Sequence, residues 1–103
     1  MASPLSLQSV VVASSHQVSR ALGDDAVILD LNSGMYFGLN AVGARVWALL
    51  EHPRQVAEIR SVILDEFDVD HATCERDLLA LLEELSGKAL IEIVGHGPAP
   101  GAS

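Results

Sequence analysis

His71 and Cys74 stand one turn apart in a stretch that reads as helix, a spacing that can bring together two metal ligands, or a thiol and a base. A structural zinc needs four ligands, however, and His16, His52 and His96 are scattered without a second close pair. No metal site and no Cys-His catalyst is expected. Nor do the acids pair into a general acid/base site, and no glycine-rich phosphate loop or Ser-His-Asp set can be assembled. The sequence therefore predicts no catalytic residue and no cofactor. Its chemistry is of another kind. Met35, Tyr36, Phe37, Gly38 and Leu39 form a short apolar strand, and a strand left at a sheet edge offers unpaired N–H and C=O groups to an extended peptide. Gly38 admits close backbone approach there, or else marks a bulge. Adjacent strand residues face opposite sides, and Phe37 reads as the inward ring of the Tyr36-Phe37 pair. Tyr36 and Leu81 are of the type that lines an apolar pocket. Asp77, on the border of a helical apolar face, can receive a cationic or N–H group, or pair with Arg76 or Arg45.

Those residues need elements to position them, and the 103-residue chain is long enough for one core but not two. Half of it is apolar, the balance of a folded domain. With one Trp, one Tyr and two Phe, the core falls to Leu, Val, Ile and Ala. Trp47 reads as core filler on the flank of a helix. Residues 1–7 read as a loose arm and 95–103, rich in Gly and Pro, as a tail, leaving one domain over 8–94. Strand character begins at Val10-Val11-Val12 and continues over 16–22, as one bent strand or two. Residues 26–31 follow a Gly23-Asp24-Asp25 turn as the clearest strand, and Asn32-Ser33-Gly34 turns it back onto 35–39 as an antiparallel neighbour.

Asn40 is placed to cap a helix over 41–51, whose Val42, Val46, Leu49 and Leu50 share a face. A second helix carries Val56, Ile59, Ile63 and Phe67. Asp70 caps a third, with Cys74, Leu78, Leu81, Leu82 and Leu85 on one face and Gly87 as its stop. Glu84 and Lys88 are spaced to pair. Residues 89–94 read as a short final strand. Strands first and helices after predict an α+β domain, with helices covering one face of a small antiparallel sheet.

The run from Asp24 to Asn40, continuing through Gly43-Ala44-Arg45-Val46-Trp47, resembles the signature of PqqD-family proteins. The likeness extends through Pro53-Arg54-Gln55-Val56-Ala57-Glu58-Ile59, Glu66-Phe67-Asp68-Val69-Asp70, Asp77-Leu78-Leu79-Ala80-Leu81-Leu82 and Leu90-Ile91-Glu92, about residues 17–94 in all. One departure is Gln55, where relatives usually place a capping Thr. The resemblance implies a winged helix-turn-helix-like domain of three strands and three helices that recognises ribosomally made precursor peptides without being an enzyme. In the family, the precursor's leader adds as an antiparallel strand to the third strand and lies against the third helix. Carried over, the peptide-binding positions are Leu29, Met35, Tyr36, Phe37, Gly38, Leu39, Asp77, Leu78 and Leu81. Free-standing members of this length resemble the leader-binding proteins of lasso-peptide pathways, which deliver the precursor to a leader peptidase and a modification enzyme, the cyclase.

Two other classes can be weighed. A winged helix can bind DNA, but the net charge of −8, fourteen acids against six bases, opposes phosphate contacts and anionic membranes alike. An adaptor for an enzyme subunit would show the same open edge. Such an edge can also pair with itself, giving a homodimer. A lone cysteine, and no charged start with an apolar centre, place the chain in a reducing, cytoplasmic compartment.

Overall fold

The computed structural model describes residues 5–96. Residues 1–4 and 97–103, most of the expected arm and tail, lie outside them. Leu5 is buried in the core and Leu7 packs against it, so residues 5–7 begin the fold instead of dangling from it. Gly95 and His96, expected in the tail, belong to the last strand.

In chain order the elements are β1 (Ser9–Ala13), β2 (Gln17–Leu22), β3 (Asp25–Asp30), β4 (Tyr36–Leu39), α1 (Ala41–Leu49), β5 (Arg54–Gln55), α2 (Val56–Glu66), α3 (His71–Gly87) and β6 (Ile91–His96). The α+β, winged-helix-like expectation holds, with one correction. The strands form two three-stranded antiparallel sheets, ordered β5-β1-β6 and β2-β3-β4, and not one. The division falls at Ser14, which is buried. Its N–H donates to the Leu90 carbonyl at 2.9 Å and its hydroxyl to the Ala89 carbonyl at 2.7 Å, tying the chain to the start of β6 before β2 departs.

Local chemistry accounts for the boundaries near the site. Gly23 (φ 64°) and Gly34 (φ 73°) supply the left-handed residues that close the β2-β3 and β3-β4 turns. In the second turn the Asp30 carboxylate accepts from Ser33 Oγ at 2.8 Å and from the Asn32 N–H at 3.0 Å. Asn40 caps α1 through Gly43 N–H (2.9 Å), and Asp70 caps α3 through Thr73 N–H (2.7 Å). Gln55 precedes α2 without a side-chain cap bond, and its amide donates to the Gln8 carbonyl at 3.4 Å. Gly87 is still helical. The left-handed residue is Ala89 (φ 59°), and Leu90 N–H closes the helix end onto the Leu85 carbonyl.

The core lies where α1, α2 and α3 meet the inner faces of both sheets. Val11, Ile28, Val46, Leu50, Ile59, Leu82 and Leu85 are almost wholly buried there. Each contributes about 1.5–3 kcal/mol relative to exposure. Trp47 is also buried, as expected of core filler.

Candidate functional site

The backbone of β4, at one edge of its sheet, leaves hydrogen-bonding capacity unused. Asp30 N–H donates to the Met35 carbonyl at 2.9 Å, and the same register continues as Leu29 opposite Tyr36, Ile28 opposite Phe37, Val27 opposite Gly38 and Ala26 opposite Leu39. Hydrogen-bonded and non-bonded pairs alternate in an antiparallel ladder. Met35, Phe37 and Leu39 therefore bond β3, while the N–H and C=O of Tyr36 and Gly38 point to the open edge. No further strand covers that edge among the described residues. A Cβ built at Gly38 meets nothing within 4 Å, so nothing in the described chain demands glycine there.

Beside this edge runs a cleft of about 320 Å³, walled by Phe37, Gly38, Leu39 and Asn40 on one side and by Thr73, Cys74, Asp77, Leu78, Leu81 and Glu84 of α3 on the other. Val42, Gly43, Val46, Ile63 and Val69 complete its lining. Gly43 sets its depth. A Cβ on that residue would stand 3.1 Å from Leu39 Cδ2, so the glycine lets α1 close onto β4. At the far end Lys88 Nζ stands 5.8 Å from the centre of the Phe37 ring and is not ion-paired to Glu84, as the sequence spacing had suggested.

Electrostatically the cleft is apolar within and acidic at its α3 lip. Asp77 meets only Arg76, at 3.5 Å and largely in solvent. Three other arginines are engaged elsewhere: Arg45 with Glu66 (2.8 Å), Arg54 with Glu58 (3.0 Å) and Arg60 with Glu75 (2.8 Å). Cys74 is buried, and that burial pushes its thiol above the ordinary value, away from the reactive thiolate. Among the described residues no three His, Cys, Asp or Glu side chains gather as a metal would require, and no helix is long and apolar enough to cross a membrane.

Of the positions singled out in the sequence, the structure brings Phe37, Gly38, Leu39, Asp77, Leu78 and Leu81 to one cleft. Phe37 faces inward beside Ile28. Met35 lies just before β4 and is exposed. Tyr36 and Leu29 lie away from the cleft, because strand parity turns them to the outer face of the sheet. There Val18, Leu29 and Tyr36 stand in one cross-strand row, with Tyr36 70% and Val18 52% exposed. Tyr36 as a cleft-lining residue is thus corrected. Asn40, Val42, Val46, Ile63, Val69, Thr73 and Glu84 were missed. The signal for Glu84 was present, since Asp77, Leu81 and Glu84 follow one another at i, i+4, i+7.

The family model described as coenzyme PQQ synthesis protein D (PqqD) matches residues 25–91. A solved structure of TbiB1 in complex with the TbiA(beta) leader peptide is 42% identical, with a TM-score of 0.73, covering 84% of this chain and 99% of that one. A lasso peptide synthetase B1 complexed with the leader peptide shares the fold, at 24% identity and a TM-score of 0.68, over 80% of this chain and 96% of that one. No curated protein sequence matches the chain.

Proposed function

The chain belongs to the PqqD family, and on that footing we propose that it binds the leader segment of a ribosomally synthesised precursor peptide and delivers it to a leader peptidase and a cyclase, itself catalysing nothing. The observation that carries this reading is the open β4 edge facing an apolar cleft. An extended leader laid antiparallel to β4 gains up to four backbone bonds from Tyr36 and Gly38, each worth about 0.5–1.5 kcal/mol net. Micromolar affinity needs about 8 kcal/mol, so the ladder alone falls short. A leader side chain buried against Leu39, Leu78 and Leu81 adds about 1.5–3 kcal/mol, and two such anchors bring the total into range.

Delivery is supported by the opposite face of the same sheet. An exposed apolar row is a docking feature, and exposed Val18 and Tyr36, flanking half-buried Leu29, point away from the cleft, free to meet an enzyme while the edge is occupied. The charge of −8 favours a peptide or protein partner over nucleic acid. The test is to search the reading frames beside this gene for a short precursor, synthesise its N-terminal segment and titrate it by calorimetry. Binding tighter than about 10 µM by the wild-type protein is expected. The Tyr36→Glu variant should still bind the leader but fail to pull down the peptidase. No binding near 100 µM would end the leader reading, and undiminished pull-down would end the assignment of the outer face.

A further inference from the structure

The lip of the cleft specifies more than an apolar anchor, and this inference rests on the peptide-binding reading above. Asp77, Leu81 and Glu84 line the same side of the cleft. At 1.5 Å per residue along α3, the two carboxylates flank Leu81 by roughly 6 Å and 4.5 Å. A strand lying along the helix places side chains of one face about 6.8 Å apart, two residues at a time. A residue seated on Leu81 therefore has its second neighbours on either side beside Asp77 and Glu84.

Nothing in the described chain neutralises this lip well. Of the six basic residues, Arg45, Arg54 and Arg60 hold Glu66, Glu58 and Glu75, Arg20 lies on β2, Lys88 covers Phe37, and Arg76 touches Asp77 only at 3.5 Å in solvent. Glu84 has no ion-pair partner among the described residues. An arriving cation would meet two exposed carboxylates at the rim of an apolar wall, an attraction that is modest and screened by salt.

We infer that the peptide recognised here carries Lys or Arg two residues from its apolar anchor, so that Asp77 and Glu84 select for charge while the cleft selects for bulk. The probe is a display library of random dodecapeptides, panned on the wild-type protein, on Asp77→Asn/Glu84→Gln and on Gly38→Pro, each checked for folding by its circular dichroism melt. Wild type should enrich strands with a basic residue two positions from a large apolar one, and the double variant should keep the apolar preference and lose the basic one. A peptide from the wild-type pool should bind the double variant roughly three- to tenfold more weakly, with a flatter salt dependence. Apolar strands enriched equally on wild type and double variant, with no basic preference, would overturn the charge inference and leave the cleft reading standing. Absence of any enrichment on wild type, or enrichment undiminished on Gly38→Pro, would overturn the strand-addition reading and this inference with it.

Discussion

Gly38→Pro tests the edge directly, because proline removes one N–H from the open row of β4 and touches almost nothing else. That amide is not used by β3, whose bonds go to Met35, Phe37 and Leu39. The new Cβ meets no atom within 4 Å, and edge strands tolerate proline. The melting temperature should stay within about 5 °C of wild type, the scale of a 1 kcal/mol change in a domain this size. On the binding side, one ladder bond is lost at about 0.5–1.5 kcal/mol, and the leader carbonyl it satisfied is stranded at about 1–3 kcal/mol. The sum, roughly 1.5–4.5 kcal/mol, weakens binding by about tenfold to a thousandfold. Calorimetry with the cognate leader reads this, and Ser19→Pro serves as its control. The parity of the β2-β3 ladder, fixed by the Leu31 N–H bond to the His16 carbonyl, turns the Ser19 amide to the other open edge of the sheet. Folded Gly38→Pro protein that binds within twofold of wild type would refute the placement of the leader, and a matching loss from Ser19→Pro would move it to β2.

The two cleft leucines should separate stability from binding: Leu78→Ala, nearly buried, costs about 2–5 kcal/mol of folding stability, whereas the half-buried Leu81→Ala leaves urea unfolding nearly unchanged and weakens leader binding about tenfold. Asp70 is held below its ordinary 3.8 by the bonds it accepts from Thr73, so the native state binds fewer protons than the unfolded one and the stability this supplies, present above 3.8, is lost as pH falls through the lowered value. Asp70→Asn keeps a cap and should flatten the acid limb of a pH-dependent melt. Cys74, buried and with its thiolate disfavoured, should react with a thiol reagent at pH 8 far more slowly than a free cysteine.

What the sequence disclosed was what local chemistry encodes. Asn40 and Asp70 announced their helices, Gly34 announced the hairpin, and alternation turned Phe37 inward. Sheet membership was hidden, because β1 pairs with β6 across some eighty residues and β5 is only two residues long, with no period to detect. Gly87 misled as a stop, since the helix closes two residues later on Ala89, a residue with no left-handed preference of its own. At the site, the strand and α3 were legible but the floor was not. Val42, Val46, Ile63 and Val69 carry ordinary helix and core patterning, and only the fold brings them under the same opening. Tyr36 was named for the pocket on residue type alone, although alternation had already set it opposite the inward Phe37.

The pairing of β1 with β6 sets Ser9 opposite His96, so the first and last strands lie side by side, in the sheet that does not contain β4. Adjacent first and last strands are the geometry that lets a domain be spliced into a loop of another protein. The domain is thus portable. Grafted onto a processing enzyme through that sheet it leaves β4 uncovered, and under the proposed function the length of the graft's linker would set the effective concentration of leader at the enzyme.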